Sequence, residues 1–384
     1  MKTPTPVPGR VLTDYLYHKA DRRRIPLSGT FELSPICNFS CRMCYVRKTA
    51  KEVAESPRKL LTLSDWRRIA REAREAGMLY LLLTGGEPLL WPDFWQLYEE
   101  LVDMGFLISI NTNGSLIDEQ AVARFRKRPP LRINVTLYGA GDETYRALCG
   151  VGGVYDRVDR AIRNLTEAGI TVKLNCSLTP QNVQDLEPIL DYAQSRNLIL
   201  SVATYMFPPV RRDPTMVGQN QRFAPAECAR YMLRYMERDR GAEGYRAYLK
   251  AVLAGSTEPP GLDESCVDPL DGKIRCRAGK SSFWITWDGW LTSCGMVPEP
   301  KIDLREQAFS RAWTALTERA DALRLSGVCG QCPNLKICHP CAAIAYAETG
   351  TSEGIPTYMC QVTREMCRIA REITERTLAC GQRE

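Results

Sequence analysis

The sequence predicts an α/β protein in which a partial (β/α)6 TIM-like barrel is followed by a small cysteine-rich domain. Two observations lead to this fold class. Between residues 29 and 210, short β-rich segments alternate with amphipathic helical segments, as in repeated strand–helix units. From Cys266 onward, cysteines become frequent and hydrophobic periodicity fades, which favours a domain organised by metal. The predicted division is an N-terminal segment 1–28, the barrel 29–210, a helical bridge 211–260 and a cysteine-rich domain 261–384 that ends in a helix.

Six strands and the helices between them make up the predicted barrel. The strands are Gly29–Ser34, Leu79–Leu83, Phe106–Asn111, Arg132–Leu137, Thr171–Ser177 and Ile199–Met206. Apolar residues recur at three- and four-residue steps in Ser64–Ala76, Pro92–Met104, Tyr155–Ala168 and Val183–Arg196, which predicts helices there. Right-handed connections between parallel strands give a partial barrel, whose active site is expected at the carboxyl ends of the strands.

Three further helices are predicted after the barrel. Residues 208–222 are rich in proline and charge and predict a loop that leaves the barrel. The helices that follow are Ala224–Glu237 and Tyr245–Leu253, before a break at Gly255–Gly261, and the closing helix Thr363–Leu378.

The amino-acid composition limits the classes of protein to which the chain could belong. The chain has 384 residues, 44% hydrophobic and 25% charged, enough for a sizeable core. It contains no apolar run near the ~18 residues of a membrane span, and its first residues lack a secretory signal. A cytoplasmic protein with no membrane partner is therefore expected. The net charge of +6 is modest, and Arg22–Arg24 beside Lys19 predicts a solvated face or loose tail rather than a nucleic-acid surface.

Sixteen cysteines stand beside only two histidines, His18 and His339. Disulfides are not expected in a long chain without an export signal. Metal ligation explains the cysteines better. Because imidazole ligands are almost absent, the sites would be thiolate sites for zinc or iron–sulfur clusters.

The first cysteine group follows the first predicted strand. Cys37, Cys41 and Cys44 lie within one short loop, and Tyr45 follows them directly. A four-iron cluster held by three thiolates keeps one iron open, where a small molecule can chelate through amine and carboxylate. An electron passed to a bound sulfonium there could break a carbon–sulfur bond. A zinc site completed by a distant fourth cysteine is the alternative.

A second motif ends the next predicted strand. Gly85 and Gly86 allow a ligand to approach the backbone closely, Glu87 can accept hydrogen bonds from an ammonium group, and Pro88 fixes the exit of the loop. An ordinary strand-to-helix turn also favours glycine. A ligand-binding role for this motif is favoured because the motif is expected at the same barrel mouth as the cysteines.

Together these residues closely resemble the radical S-adenosylmethionine (SAM) superfamily over roughly residues 29–210, in cysteine spacing and in the Gly-Gly-Glu-Pro motif. The resemblance implies that residues 85–88 contact the methionine amino group of SAM. It also places Asn113 and Thr136 against the ribose and carboxylate, and Tyr45 among the cofactor-binding residues. Met43 departs from the aromatic residue that is frequent before the third cysteine, which bears on packing near the adenine.

Eight cysteines of the C-terminal region could fill two four-ligand sites. They are Cys266, Cys276, Cys294, Cys329, Cys332, Cys338, Cys341 and Cys360. Zinc ribbons are the alternative, since two of the pairs are CxxC. The spacing over about residues 266–360 resembles the SPASM extension of some radical SAM enzymes. That resemblance implies a nearer auxiliary cluster on Cys266, Cys276, Cys294 and Cys341, and an outer one on Cys329, Cys332, Cys338 and Cys360. Two residues rather than the commoner three separate Cys338 from Cys341, a departure that could alter the pairing.

Five cysteines remain unassigned: Cys149, Cys176, Cys228, Cys367 and Cys380. Buried thiols that pack as small hydrophobic groups are the expected explanation for most of them. Cys149 follows the fourth strand and is a candidate catalytic residue, as a hydrogen-atom donor or the site of a peptide-linked intermediate.

The resemblance implies three [4Fe-4S] clusters, SAM, and an external electron donor of flavodoxin or ferredoxin type. It further implies cleavage of SAM to methionine and a 5′-deoxyadenosyl radical, followed by oxidative crosslinking or dehydrogenation of a peptide or protein. Gly295 stands where sulfatase-maturating relatives have an aspartate base, which disfavours that reaction. Only about 28 residues precede the first strand, so a leader peptide is expected to bind elsewhere or to a separate protein. The alternatives are a dehydrogenase or epimerase acting on a small metabolite or peptide, and a non-catalytic metal-binding scaffold.

Overall fold

The computed structural model describes residues 8–256 and 276–381, with side chains for residues 12–256 and 276–377. Its described strands form a single sheet in the order β6-β5-β4-β3-β2-β1-β7-β8-β9. They are β1 Ser28–Glu32, β2 Tyr80–Thr84, β3 Leu107–Thr112, β4 Arg132–Thr136, β5 Val172–Ser177, β6 Ile199–Ala203, β7 Ser282–Ile285, β8 Trp290–Thr292 and β9 Lys301–Asp303.

Strands β1 to β6 are all parallel and stand in sequence order, which confirms the predicted fold class of a partial (β/α)6 barrel. Both faces of such a sheet are covered, and central positions such as Phe31, Leu83, Ile110 and Leu174 are fully buried. Because parallel strands end on one side, their carboxyl ends present successive loops at one barrel mouth.

Helices cover the sheet and form much of the C-terminal region. They are α1 Pro8–Arg23, α2 Ala50–Glu55, α3 Leu63–Glu75, α4 Phe94–Asp103, α5 Glu119–Lys127, α6 Asp142–Cys149, α7 Tyr155–Glu167, α8 Leu186–Ser195, α9 Pro225–Leu253, α10 Phe309–Asp321, α11 Gly327–Gly330, α12 Leu335–Cys338, α13 Ala342–Thr349 and α14 Thr357–Gly381. Three short 3-10 helices are Pro88–Leu90, Val183–Asp185 and Pro214–Met216. None of the described helices is long and apolar enough to cross a membrane.

Local sequence explains where the helices before β2 begin. Thr49 and Glu52 form a capping box at the start of α2, and Thr62 and Asp65 form another at α3. In each box, the threonine hydroxyl accepts a hydrogen bond from a first-turn amide while the carboxylate accepts one from the cap residue. Helix α3 then buries the apolar face that includes Trp66 against the sheet.

The region after residue 276 differs from the expected loss of regular structure. Strand β7 pairs in parallel with β1, and β8 and β9 continue the same sheet in antiparallel order. Arg58, before α3, donates two hydrogen bonds to Asp303 of β9, and its guanidinium lies 4.2 Å from the centre of the Trp290 ring. The cysteine-rich region is therefore joined to the barrel through main-chain hydrogen bonds.

The N-terminal segment also differs from the expected loose tail, because most of it forms α1. Arg24 makes an ion pair with Asp321 of α10, and the Tyr17 ring stacks on Tyr80 of β2 at 5.7 Å. These contacts hold the helix against both the barrel and the C-terminal region.

The helical bridge contains the predicted helices, but their boundaries differ from the predicted ones. The two predicted helices correspond to α9, in which Gly241 has a φ of 65° and breaks the helical geometry between them. Helix α14 begins at Thr357, six residues before the predicted start, and packs along α9. The Tyr248 hydroxyl lies 3.8 Å from the sulfur of Met366 in that interface.

Candidate active site and metal centres

The predicted cofactor residues lie on neighbouring loops at one barrel mouth. The loop with Cys37, Cys41 and Cys44 follows β1, residues 85–88 follow β2, and Asn113 follows β3. Thr136 is the last residue of β4. Adjacent parallel strands therefore bring together the motifs that the sequence places far apart.

The cysteine loop is held from two sides. The amides of Phe39 and Arg47 donate to the sulfurs of Cys37 and Cys44, both at 3.3 Å. At the far side, the Ser40 amide donates to the Cys149 carbonyl at 2.7 Å at the end of α6. Hydrogen bonds from amides to sulfur stabilise the negative charge of thiolates that ligate a metal cluster.

Gly85 and Gly86 are required by the cysteine loop itself. A Cβ on Gly85 would lie 2.4 Å from the Ser34 carbonyl oxygen, and one on Gly86 would lie 2.4 Å from that of Ile36. The Gly86 amide donates to Ser34 at 2.7 Å. The close approach that these glycines permit is thus to the main chain before Cys37, while approach to a ligand stays a prediction.

The Glu87 carboxylate points into the protein and is fully buried. It accepts hydrogen bonds from the Thr112 hydroxyl and the Asn113 amide, both at 2.8 Å, and from the Leu89 amide at 3.2 Å. Burial raises the pKa of Glu87 to about 7, against the opposing effect of these donors. The carboxylate therefore joins the β2 and β3 loops, and its predicted contact with a ligand ammonium stays a prediction. Pro88 begins a 3-10 helix, which fits its predicted role at the loop exit.

Asn113 connects the third loop to the cysteines. Its side-chain amide donates to the side-chain Oδ1 of Asn38 at 2.8 Å and lies 3.8 Å from the Cys37 sulfur. Its own carbonyl oxygen accepts from the Ser115 amide and hydroxyl. This network orders the loop on which SAM binding is predicted; contacts of Asn113 and Thr136 with SAM remain predictions.

The three thiols of the first group have unequal environments. Burial raises the pKa of Cys37 to about 12 and also raises that of Cys44, and the neighbouring thiols raise both further. The pKa of Cys41 is instead lowered, first by a hydrogen bond with the Cys149 side chain. Bound iron would supply the positive charge that deprotonates such thiols.

The C-terminal cysteines fall into two electrostatic groups. Burial raises the pKa of Cys294, and Cys341 and Cys276 raise it further. Burial likewise raises the pKa of Cys338, on which Cys360, Cys329 and Cys332 act together. The cysteines that act on the pKa of Cys294 and those that act on the pKa of Cys338 are among the sets that the SPASM resemblance implies. Cys266 lies outside the described residues, and ligation at both groups stays a prediction.

The donor sets fit iron–sulfur clusters in chemistry, since each is made of thiols and includes no imidazole. Across the described stretches 12–256 and 276–377, no three Cys, His, Asp or Glu side chains converge on a point that could hold one metal ion. A four-iron cluster is larger than one ion and requires thiolates spread around it.

Tyr45 lies between the first group and the nearer C-terminal group. It follows Cys44 and packs against the cluster of Met296, Val297 and Ala343, to which Cys294 and Cys341 also belong. Its predicted contact with SAM is untested, but the structure places it beside both sets of thiols.

A buried ion pair borders this region and was missed from the sequence. Glu32, at the end of β1, accepts two hydrogen bonds from Arg211 and one from the Trp284 indole, each at 2.9 Å. The Trp284 ring also fills the space beside Gly295, where a Cβ would lie 2.7 Å from it. An aspartate at position 295 could not be placed there without moving the indole. An acidic residue at the end of a strand, followed by an arginine in the loop that leaves the barrel, was the available signal for the pair.

The unassigned thiols with described side chains support the expectation of packing roles. Cys149, Cys176 and Cys228 are buried, and Cys367 is partly buried. Cys149 lies against Cys41. This placement gives no support to its predicted contact with substrate.

Residues 31–193 match the profile of the radical SAM superfamily. Among curated relatives, the AdoMet-dependent heme synthase of Methanosarcina barkeri is 24% identical over 333 residues, covering 83% of this chain and 92% of that protein. The PqqA peptide cyclase of Granulibacter bethesdensis is 28% identical over 200 residues, which is 51% of this chain and 52% of that protein.

Two solved structures share the fold along most of the chain. Streptococcus suis SuiB bound to precursor peptide SuiA superposes with a TM-score of 0.65 at 21% identity, covering 94% of this chain and 83% of SuiB. The structure of anSMEcpe with bound AdoMet and Kp18Cys peptide gives 0.66 at 15% identity, covering 91% and 98%.

The sheet, the three-cysteine loop and the profile match together define a radical SAM domain over residues 31–193. A radical SAM domain implies one four-iron cluster and bound SAM.

Proposed function

We propose that this chain is a radical SAM oxidoreductase with a C-terminal SPASM domain that oxidatively modifies a peptide or protein. The observation that carries the proposal is the position of Tyr45, which follows Cys44 and packs in one cluster with Cys294 and Cys341. The predicted initiating centre and the second predicted thiolate centre are therefore linked through one residue, Tyr45. A substrate radical formed there could pass its surplus electron to the second centre.

The chain's own residues would prepare this chemistry. The first three cysteines would hold the initiating cluster, and the Glu87 carboxylate would fix the loops that bind SAM. When bound, the cluster and SAM supply a 5′-deoxyadenosyl radical, with an electron from a flavodoxin or ferredoxin. The buried pair of Glu32 and Arg211 would keep the wall between the centres rigid and free of water.

Peptide substrates are supported by the fold, which is shared with SuiB bound to its precursor peptide and with anSMEcpe bound to a peptide. Gly295, packed against Trp284, favours a reaction other than one that needs an aspartate base at this position. A small-molecule substrate is the second candidate. The relative named heme synthase covers 83% of this chain, whereas the peptide cyclase covers 51%.

The test separates the two centres by substitution of one ligand in each. Wild-type protein reconstituted without oxygen should bind about twelve iron and twelve sulfide per chain. Cys44→Ala should abolish reductive release of 5′-deoxyadenosine while keeping about eight iron. Cys294→Ala should keep that release but lose the nearer auxiliary cluster and stop product formation. Cys176→Ala, at a buried thiol outside the three groups, is the matched control and should change neither quantity.

Two outcomes would overturn the proposal: zinc without sulfide in the wild type, or normal 5′-deoxyadenosine release by Cys44→Ala. Product formation at the normal rate by a folded Cys294→Ala variant would exclude the electron-acceptor role. The substrate class is tested with cell extract that stimulates 5′-deoxyadenosine release. Loss of stimulation after protease treatment supports a peptide or protein, and its persistence in the protease-treated small-molecule fraction supports a metabolite.

A further inference from the structure

Four cationic residues lie on or beside the loop that carries the first three cysteines. Arg42 lies inside this loop, between its second and third cysteines, and Arg47 and Lys48 follow the third. Arg212 lies on the loop that leaves the barrel after β6. Together, Arg42, Arg47, Lys48 and Arg212 form the basic rim of the cysteine loop.

The local structure turns Arg42 toward solvent. Its neighbours Cys41 and Met43 are buried, at 8% and 9% exposure, whereas Arg42 between them is exposed. The Arg42 amide donates to the Leu148 carbonyl of α6 at 3.0 Å. The main chain of Arg42 is therefore fixed against α6 while its guanidinium remains on the surface.

Main-chain hydrogen bonds also place the next two members of the rim. The Lys48 amide donates to the Pro35 carbonyl at 3.0 Å, so Lys48 lies beside the chain that enters the cysteine loop. The Arg47 amide donates to the Cys44 sulfur at 3.3 Å, and the Nε of Arg47 is buried without a hydrogen-bond partner. Neither cationic side chain is needed to hold the loop in place.

The neighbouring Arg211 brings Arg212 to the same surface. The Arg211 guanidinium donates to Glu32 at the end of β1 and lies 5.9 Å from the centre of the Tyr45 ring, directly after the third cysteine. The exit loop therefore runs along the cysteine loop. Arg212 is exposed and adds a positive charge there.

The basic rim lacks counter-charges. Among the side chains that the structure describes, none forms an ion pair with a member of the rim. The nearest carboxylates in the sequence are used locally. Glu52 caps α2 through hydrogen bonds with Thr49, and Asp213 caps the next 3-10 helix through hydrogen bonds with Thr215. Unpaired like charges that lie close together repel each other, and they attract an anionic partner.

We propose that the basic rim docks an acidic electron-carrier protein of flavodoxin type. Each cleavage of SAM consumes one electron, by which the carrier is oxidised and SAM is reduced to methionine and a 5′-deoxyadenosyl radical. A carrier with an acidic surface is complementary in charge to the rim, and docking there brings it against the loop of Cys37, Cys41 and Cys44. This inference rests on the proposed function and names the docking surface for its electron donor.

An acidic substrate peptide is the other partner that these charges could attract. A substrate has to bring a carbon atom to the barrel mouth, where SAM is predicted to bind. An electron carrier needs only to approach the thiols, and the rim lies directly beside them. The position of the rim therefore favours the carrier.

The test compares two reductants in the release of 5′-deoxyadenosine by the full-length reconstituted protein. One is a flavodoxin kept reduced by NADPH and its reductase, and the other is dithionite, which needs no docking surface. In the double variant Arg42→Gln with Lys48→Gln, the KM for flavodoxin should rise about tenfold. The dithionite-supported rate should stay at the wild-type value. Adding Arg212→Gln should raise the KM further and weaken its dependence on salt.

A matched control removes the same charge elsewhere. Arg126→Gln with Lys127→Gln changes two exposed cations in the last turn of α5, at the amino ends of the strands. This control should keep the wild-type KM for flavodoxin. All variants should keep the wild-type iron and sulfide content, which shows that the cysteine loop is intact.

An unchanged KM for flavodoxin in the triple variant with full iron would overturn the inference, as would an equal rise in the control. Equal losses with both reductants would also overturn it, because the rim would then act on SAM or on the cluster. So would a wild type that is active with dithionite but not with flavodoxin. If the KM for flavodoxin is unchanged but stimulation by cell extract is lost, the rim serves an acidic substrate instead. Absence of dithionite-supported 5′-deoxyadenosine release in the wild type would defeat the proposed function itself.

Discussion

The ion pair of Glu32 and Arg211 allows a single buried charge to be tested. The Glu32 side chain is 0% exposed and that of Arg211 is 17% exposed, so water screens their attraction little. Glu32→Gln keeps the size of the side chain but removes the negative charge. Its amide group would also face the guanidinium donors, so that at least one hydrogen bond to Arg211 is lost and the arginine remains buried without a counter-charge.

The expected cost follows from these contacts. Removing one partner of a buried ion pair costs about 3–5 kcal/mol, most of it the desolvation of the remaining charge. We expect Glu32→Gln to lower the free energy of unfolding by about 3 kcal/mol. For a chain of this size, that corresponds to a decrease of about 4 °C in melting temperature.

The assay is thermal melting of the reconstituted protein, followed by circular dichroism without oxygen. Glu372→Gln is the control, because its partner Arg368 on α14 is 50% exposed and Glu372 is 46% exposed. That change should cost less than about 1 kcal/mol. The double variant Glu32→Leu with Arg211→Met should recover part of the loss, since no unpaired charge remains. Melting of Glu32→Gln within one degree of the wild type would refute the reasoning. So would a double variant whose loss of stability equals the sum of the losses of its two single variants.

Two further predictions concern the loop after β2. The pKa of Glu87, raised by burial from 4.5 to about 7, means that the folded chain holds this proton more tightly than the unfolded chain. The contribution of Glu87 to stability is therefore full below about pH 4.5 and declines by about 3 kcal/mol as pH rises to 7. Melting temperatures from pH 5 to 8 should fall more steeply for the wild type than for Glu87→Gln, and parallel curves would contradict the assignment. Gly86→Ala should displace the cysteine loop and remove about four of twelve iron, whereas Gly141→Ala, with open space around its Cβ, should bind full iron. Full iron in Gly86→Ala would show that the loop adapts.

Much of the barrel could be predicted because its signals are local. Strand β4 begins at the predicted Arg132, and α7 begins at the predicted Tyr155, since each apolar pattern has its own period and boundaries. The short strands β7 to β9 were missed. Each has only three or four residues, and β7 depends on pairing with β1, where Ser28 lies opposite Ser282. No local pattern encodes a partner so distant in sequence.

The candidate site, like the barrel, could be predicted from the sequence only in part. Spacing alone identified the first three cysteines, and resemblance supplied the two C-terminal groups. The direction of the Glu87 side chain was not predictable, because its partners Thr112 and Asn113 lie on the next strand and its loop.

The pairing of β1 with β7 has a consequence for how the protein is made. Ser28 and Ser282 are separated by about 250 residues, which a ribosome adds in roughly 10–50 s at 5–20 residues per second. During that interval, the newly made β1 has no neighbour on one side, and its free amides and carbonyls can pair with another nascent chain. Production of this protein should therefore benefit from chaperones that act on ribosome-bound chains. A gene shortened to end at residue 256 should yield aggregates rather than an isolated barrel.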